Sequence, residues 1–209
     1  MVVEEYLLTQ WIELAGERAA DLGTDLVARY GEPHRRYHTV HHLAGMLRVI
    51  DELAADAADL DAVRYAAFFH DAIYAVDRTD NEERSAELAE TTLAELGAAP
   101  ELSREVGRLV RLTAAHNPAP GDYNGAVLCD ADLAVLAADS SDYAAYTRAV
   151  RAEYQHVPDE LFRIGRAAVL RKLAEQPSLY HTTAARRRYE SAARANLAAE
   201  LTELTTPAG

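Results

Sequence analysis

The chain has 209 residues, of which 49% are hydrophobic and 26% are charged, a composition typical of a globular protein with one substantial core. Its formal net charge of −13 argues against a broad nucleic-acid-binding surface, because phosphate backbones are bound by clustered cations. The single cysteine, Cys129, excludes an internal disulfide and a cysteine-rich zinc site, and it fits a reducing compartment.

Two further features concern the location of the protein. No apolar stretch approaches the roughly 20 residues that are needed to span a bilayer. Glu4 and Glu5 stand where a secretory signal requires positive charge. We therefore expect a cytoplasmic protein that has neither membrane nor nucleic-acid partners.

The spacing of hydrophobic residues is helical along nearly the whole chain. The predicted helices span about residues 3–30, 39–56, 61–74, 79–97, 103–115, 126–138, 142–155, 159–175 and 184–205. The helix at 61–74 is apolar on most sides and is therefore expected to be central. The helix at 79–97 is predicted from a capping-box pattern, Thr79-Asp80-Asn81-Glu82. Val127-Leu128-Cys129 also fits a strand, but the three- and four-residue spacing around it favours a helix.

The sequence contains no sustained β alternation, no internal repeat and no change of composition that would mark a domain boundary. It therefore predicts one all-α domain over residues 1–209. The motifs described below lie within about residues 30–180. The helices at 3–30 and 184–205 are expected to pack on that core.

His70 and Asp71 are the most informative pair in the sequence, because they follow the apolar run Tyr65–Phe69. Burying a histidine and an aspartate is costly unless they are hydrogen-bonded or bound. The pair alone also fits an ordinary hydrogen-bonded couple. A divalent metal would neutralise and bind both side chains, and other segments supply further candidate ligands.

His38 and His42 are the first of these candidates. They are four residues apart, so they share one helical face if the helix has begun by His38. One helix can in this way offer two ligands, or one ligand and one acid–base group. His34 and His41 are expected to be exposed to solvent.

Asp130 and Asp132 form the second unusual segment, since both are flanked by apolar residues. Burying two carboxylates is costly unless they are paired or bound to a metal. Asp130 is also well suited to cap a helix. The pattern favours a functional role for at least one of the two.

His42, the His70-Asp71 doublet and Asp132 together resemble the signature of the HD superfamily of metal-dependent phosphohydrolases. That signature is a histidine, a His-Asp doublet and a distal aspartate on separate helices. The similarity extends over about residues 30–180 and resembles a bacterial subgroup of predicted HD phosphohydrolases. The segments that carry it are Tyr37–His42, Phe69–Tyr74, Asp80–Ser85 and Asp130–Leu133. The resemblance implies a helical bundle of the HD-domain type.

The resemblance also implies roles for individual residues. His42, His70, Asp71 and Asp132 would bind the metal. Cyclic-nucleotide phosphodiesterases have a similar Tyr-His-x-x-x-His segment, and by that analogy His38 donates a proton to the leaving group. The reverse assignment of His38 and His42 stays open. Asp130 would support the ligands from behind or cap the helix.

The implied reaction is hydrolysis of a phosphoester or phosphoanhydride by attack of metal-bound water. Two imidazoles and two carboxylates leave open positions on a six-coordinate ion for water and for a phosphoryl oxygen. The expected substrate is a nucleotide or another small phosphorylated metabolite. Mixed nitrogen and oxygen ligation selects poorly among manganese, magnesium, iron, cobalt, nickel and zinc. The sequence has neither a phosphate-binding glycine loop nor a serine-nucleophile elbow, which favours direct attack.

Several other residues are candidates with two interpretations each. Glu82 and Glu83 are candidates for a general base or a substrate contact, and they also fit a capping box and a helix N-terminus. His116 is a candidate for a phosphate contact or a second metal, and it also fits a helix cap. The cations expected to bind phosphate, or else to form surface ion pairs, are Arg78, Arg163 and Arg166.

Two other functions fit the same residues. An HD-type diiron oxygenase would need two irons and about six protein ligands, and here only His116 is an obvious addition. A non-catalytic helical module would bind a metal or a nucleotide without turnover. Trp11 and the N-terminal helix are compatible with a homodimer, although core packing explains them more simply.

Overall fold

The computed structural model describes residues 2–206. Met1 and residues 207–209 of the predicted domain lie outside the described residues. Helices account for all the regular secondary structure between residues 2 and 206, which confirms the predicted all-α class. Their bounds are α1 Val3–Ala15, α2 Ala20–Arg29, α3 Val40–Glu52, α4 Leu60–Phe69, α5 Asn81–Glu95, α6 Pro100–Leu112, α7 Tyr123–Asp132, α8 Ser140–Glu153, α9 Asp159–Ala174 and α10 Thr183–Thr205.

The single helix predicted at 3–30 is wrong, since the structure has two helices there. Gly16 ends α1 with a φ of +83°, a conformation that glycine adopts without steric cost. A 3₁₀ turn at Glu17–Ala19 follows, and α2 then packs back against α1. The fully buried Trp11 of α1 fixes this packing, because its indole N–H donates to the Ala19 carbonyl at 2.8 Å.

Gly23 of α2 gives a test of this packing. A Cβ atom added at Gly23 would lie 2.2 Å from Cδ1 of Trp11. We therefore expect Gly23→Ala to lower the free energy of unfolding by about 1–3 kcal/mol, as overpacking does. The matched control is Gly45→Ala in α3, where the added Cβ would meet nothing within 4 Å. Urea denaturation of both variants is the measurement, and equal stabilities would contradict this account of the packing.

The helix predicted at 61–74 ends at Phe69 instead, and this correction matters for the site. Side chains from outside α4 satisfy the backbone that a longer helix would have paired. The Tyr30 hydroxyl donates to the Phe68 carbonyl at 3.0 Å, and Arg35 Nη1 donates to the Asp71 carbonyl at 2.8 Å. His70 and Asp71 therefore lie on a turn directly after α4, where both side chains can face the same point.

The capping box predicted at Thr79–Glu82 does not form. Asp80 is the N-cap residue of α5, and its carboxylate pairs with Arg78 instead of capping the helix. Asn81 fixes the preceding turn instead, because its side chain accepts from the Ala75 N–H at 3.1 Å and donates to the Ala75 carbonyl at 2.9 Å. The turn that carries His70 and Asp71 is thus held from the start of α5 as well.

The remaining predicted helices are found with shifted ends. Those at 39–56 and 126–138 each finish as a 3₁₀ turn, at Ala54–Asp56 and Leu133–Ala137. Val127-Leu128-Cys129 is helical, as predicted. Between residues 2 and 206, every helix is too short or too polar to cross a lipid bilayer.

Helix α4 is the centre of the packing. Seven of its ten residues are buried, and it contacts α1, α3, α5, α6 and α7. Phe68 and Phe69 pack edge-on against Trp11, with ring centroids 5.1 and 6.0 Å away. The end of this central helix therefore brings His70 and Asp71 between the start of α3 and the end of α7.

Candidate metal centre

Three side chains from distant segments meet at the end of α4. His42 lies in the first turn of α3, His70 directly follows α4, and Asp132 is the last residue of α7. One ligand atom from each lies within 4.8 Å of the others. The Nε2 atom of His42 is 3.2 Å from Nε2 of His70 and 3.2 Å from Oδ1 of Asp132.

Asp71 joins the same group, since its Oδ2 atom is 3.0 Å from Nε2 of His70. We call His42, His70, Asp71 and Asp132 the His/Asp cluster. Their side chains are between 2% and 16% exposed. Of the four side chains that the sequence proposed as ligands, the structure therefore gathers His42, His70 and Asp132 around one point and places Asp71 beside His70.

The spacing of the cluster fits a divalent cation. An octahedral ion holds its ligands at about 2.1 Å, so that neighbouring ligand atoms lie about 3.0 Å apart. The three separations measured in the cluster are 3.0, 3.2 and 3.2 Å. The His70 Nδ1–H donates to the Ala67 carbonyl at 2.8 Å, which leaves Nε2 as the atom that faces the cluster. Ligand histidines in metal sites are commonly oriented by such a hydrogen bond.

The charges of the cluster are also compatible with a bound cation. Burial alone would lower the pKa of His70, but the adjacent Asp71 carboxylate outweighs it and raises the pKa to about 9. Burial likewise opposes ionisation of Asp132, yet hydrogen bonds from His116 and His42 hold its pKa well below the usual range. Without a metal, a proton on His70 offsets one of the two carboxylate charges. A divalent ion replaces that proton in a cluster of this kind.

His116 contacts the cluster through Asp132. Its Nε2 atom lies 2.7 Å from Asp132 Oδ2, so the ring orients this carboxylate and does not merely cap α6. His116 has a φ of +49°, a left-handed conformation that costs a residue with a side chain roughly 1–3 kcal/mol. Its carbonyl accepts from Nε2 of His181 at 3.2 Å, which helps to hold this conformation.

Asp130 lies behind the cluster and does not contact it. Its fully buried carboxylate accepts the backbone N–H groups of His181 and Thr182, at 2.7 and 2.8 Å. It thereby fastens the start of α10 to α7 and places His181 beside His116. The structure therefore favours a supporting role for Asp130 behind the candidate ligands over a cap on the helix that carries it.

His38 lies beside the cluster and is held by Glu153. The His38 Nδ1–H donates to Oε2 of Glu153 at 2.7 Å, and its ring centroid is 5.8 Å from that of His42. Burial alone would lower the pKa of His38, but the Asp71 charge and the Glu153 hydrogen bond raise it above its usual value. His38 therefore lies next to the candidate ligands in surroundings that favour its protonated form.

Glu153 of α8 is a site residue that the sequence did not reveal. Its Oε1 atom accepts three backbone N–H groups in the segment before α3, from Arg36, Tyr37 and His38. Its Oε2 atom accepts from Tyr74 as well as from His38. This single carboxylate thus ties α8 to the segment that delivers His38 and His42, and only the folded chain reveals that role.

Arg35 was also missed. Its buried guanidinium donates to the carbonyls of His38 and Asp71, at 3.2 and 2.8 Å. It lies between the rings of Tyr30 and Tyr74, 5.2 and 5.3 Å from their centroids. Arg35 therefore joins the two segments that carry the histidine pair and the His-Asp doublet.

Several predicted site residues are engaged elsewhere. Glu83 is exposed and pairs with Arg111, and Arg78 is exposed and pairs with Asp80. Arg163 donates to the carbonyls of Glu203, Leu204 and Thr206 at the end of α10. Glu82 is half-buried and makes no hydrogen bond to the cluster in the described part of the chain.

Three predictions remain for histidine and arginine side chains, those for His34, His41 and Arg166. His34 and His41 are exposed, as predicted. Arg166 lies near the cluster: its Nε donates to Oε1 of Glu200 at 2.7 Å, and its Nη2 donates to the Tyr146 hydroxyl at 3.0 Å. A second bond, from Nη2 to Oε2 of Glu200 at 3.1 Å, completes a nearly buried ion pair, so the guanidinium is already engaged.

Two cavities open beside Asp132. The first, here called the polar cavity, has a volume of about 370 Å³, and its wall includes His38, His116, Arg166 and Lys172. The second, here called the apolar groove, has a volume of about 630 Å³ and reaches His42. Asp132 belongs to the walls of both, together with Tyr37, Val135 and Tyr146.

Comparisons of the chain with family models, with curated proteins and with solved structures give no match. Inference about function therefore starts from the cluster itself. Two imidazoles and a carboxylate that converge in a nearly buried position can hold a divalent metal ion. Open cavities on two sides of Asp132 leave room for a ligand next to such an ion.

Proposed function

We propose that the protein is a metal-dependent phosphohydrolase of the HD superfamily. Its substrate would be a phosphoester or phosphoanhydride of a nucleotide or another small phosphorylated metabolite. The observation that carries the proposal is the convergence of His42, His70 and Asp132, whose ligand atoms lie within 4.8 Å of one another, with Asp71 3.0 Å from His70. In addition, the order of these residues along the chain resembles the superfamily signature.

The ligand set defines what a bound metal would contribute. A divalent cation at the cluster would acidify water and offset the negative charge of a phosphate. The protein residues complete the site around it. Lys172 brings positive charge to the wall of the polar cavity, beside the Arg166–Glu200 ion pair, so a protein with an overall charge of −13 can still accept an anion there.

His38 is suited to give a proton to the departing group. It is held through Nδ1 by Glu153, so that Nε2 is the atom left to face the polar cavity. Against the effect of burial, the Asp71 charge and the Glu153 hydrogen bond raise the pKa of His38, which favours the protonated ring. His116 is suited to orient Asp132 and to contact the phosphate from the same cavity.

The test of the proposal is turnover by protein of known metal content. Chelator-treated protein should be inactive, and reloading with Mn²⁺ or Co²⁺ should restore phosphate release from members of a broad panel of nucleotides and phosphorylated metabolites. Verified metal loading with no release from any member would overturn the proposal. In that case, thermal stabilisation by a nucleotide would indicate a binding module, and two bound irons with oxygen uptake would indicate an oxygenase.

Replacing His38 by alanine gives a prediction specific to proton donation. We expect kcat to fall about 10²–10⁴-fold with substrates whose leaving group is an alkoxide, because general acid catalysis contributes that much. The loss should be much smaller with a p-nitrophenyl ester, whose leaving group departs without protonation. Steady-state kinetics with both substrates is the measurement. An equal loss with both would mean that His38 positions the site and donates no proton.

A further inference from the structure

The apolar groove differs chemically from the polar cavity on the other side of Asp132. It lies between α3, the 3₁₀ turn after α7, α8 and α10. Most of the side chains on its floor are small and apolar, and many of them are alanines. These floor residues are Gly45, Met46, Val49, Ala134, Val135, Ala137, Ala138, Ala145 and Ala149.

Several of the polar groups that line the groove are paired with each other or with backbone carbonyls. Arg188 pairs with Glu52 at 3.0 Å, and the Tyr189 hydroxyl donates to the same carboxylate at 3.1 Å. Arg36 Nη1 donates to the carbonyls of Pro33 and Arg35. The apolar floor itself offers no partner to the polar edge of a nucleobase, and a polar group that leaves water without a hydrogen bond is unfavourable.

The polar cavity and the apolar groove together match the two parts of an amphiphilic molecule, its polar head and its hydrocarbon. The polar cavity offers His38, His116 and Lys172 to an anion, while the groove offers an apolar floor. Both begin at Asp132 of the cluster. A volume of about 630 Å³ lies within the range of about 300–1,000 Å³ that ligand sites usually have.

We propose that the substrate is an amphiphilic phosphate, that is, an ester or anhydride whose organic group is a hydrocarbon chain or ring. Its phosphate lies in the polar cavity beside the cluster, and its hydrocarbon lies in the apolar groove. This inference rests on the proposed function and narrows its substrate class from phosphorylated metabolites in general to those with an apolar organic group.

The first part of the test measures binding, apart from activity. A series of n-alkylphosphonates, which cannot be hydrolysed at the P–C bond, is titrated calorimetrically into protein with and without Mn²⁺. Affinity should rise about fourfold for each added methylene until the groove is full, because burial of a methylene is worth that much. The dependence on chain length should be similar with and without the metal, since the groove contacts only the chain.

A groove-filling variant provides the second part. Gly45 lies within α3, and a Cβ added there would meet nothing within 4 Å, so Gly45→Phe should block the groove without disturbing the core. We expect the gain in affinity with chain length to disappear, while metal affinity stays unchanged. The matched control is Gly165→Phe in α9, which has equal open space and lies outside both cavities. The control should bind the series like the wild type.

The outcomes separate this inference from the proposed function. A flat chain-length dependence in the wild type, with hydrolysis of nucleotides intact, would overturn the amphiphilic substrate and leave the phosphohydrolase standing. A rising dependence that Gly45→Phe removes, without hydrolysis of any alkyl phosphate, would show a hydrocarbon site but overturn the amphiphilic substrate, and it would overturn the hydrolase as well only if no other phosphorylated compound were hydrolysed. A flat dependence combined with a dimer that Gly45→Phe dissociates would assign the groove to a second copy of the chain, and would also overturn the inference.

Discussion

Replacing His70 by alanine is expected to remove divalent-metal binding at the cluster and to reduce turnover to the level of the metal-free protein. Nε2 of His70 lies within 3.2 Å of candidate ligand atoms of His42 and Asp71. Alanine at this position would therefore remove the ligand atom that lies between the other two. Loss of a residue that only orients a ligand already costs about 10–100-fold in metal affinity. We therefore expect a larger effect than that, measured as metal content after dialysis and by calorimetry.

Two further variants keep this prediction independent of folding. Asp71→Asn and Asp132→Asn preserve the shape of the side chains and remove one negative charge each, so both should weaken metal binding while the helical content stays unchanged. The control is His156→Ala, because His156 is exposed and its aromatic contact is with Tyr154. Metal binding by His70→Ala at the wild-type affinity would place the ion elsewhere and remove the basis of the proposed function.

The pH dependence of metal binding follows from the same residue. In the metal-free protein the pKa of His70 is raised to about 9, so His70 carries a proton at pH 7 that a metal must displace. The apparent affinity should therefore rise about tenfold per pH unit between pH 7 and 9 and level off above. Calorimetry in buffers of different ionisation enthalpy should detect close to one released proton at pH 7. Binding without proton release would contradict the charge balance described for the cluster.

The four candidate ligands were predictable because each stands out locally. A histidine and an aspartate after an apolar run, a histidine pair four residues apart, and a carboxylate among apolar residues all imply a burial cost that calls for a partner. The helical class was predictable for a similar reason, since the 3.6-residue period repeats along the chain. Both kinds of signal depend on neighbours in the sequence.

Features that depend on distant contacts were not predictable. Helix α4 stops at Phe69 because Tyr30 and Arg35 bind the backbone that follows, although the local pattern continues to Tyr74. Glu153 gives no local signal, because a glutamate near the end of a helix is usually solvated. Its five hydrogen-bond donors come from residues at least 79 positions away in the chain.

Glu153→Gln is expected to lower the free energy of unfolding by about 3–5 kcal/mol at pH 7. The Glu153 side chain is fully buried and forms a charge-assisted pair with His38. Breaking a buried pair by neutralising one partner costs about this much, because the other partner stays buried. The glutamine amide nitrogen is a donor, so it cannot accept from His38 and Tyr74 as Oε2 does.

The free energy of unfolding that Glu153→Gln loses should decrease as the pH falls. Burial alone would raise the pKa of Glu153, but the His38 pair and the backbone N–H groups outweigh it and lower the pKa from 4.5 to about 2. A carboxyl whose pKa is lowered by folding stabilises the protein fully above its unfolded pKa, and this stabilisation is lost as the pH falls toward the folded pKa. The difference in stability between wild type and Glu153→Gln should thus be largest at pH 7 and clearly smaller at pH 3.

Urea denaturation at pH 7, 5 and 3 tests both statements, with Glu87→Gln as the control because Glu87 is exposed on α5. The control should stay within about 0.5 kcal/mol of the wild type. Since Glu153 holds the segment that delivers His38 and His42, the folded fraction of Glu153→Gln should also turn over alkyl esters more slowly, with less effect on p-nitrophenyl esters. A stability difference that is absent at pH 7, or that does not narrow toward pH 3, would mean that Glu153 is a solvated helix residue whose contacts carry no energy.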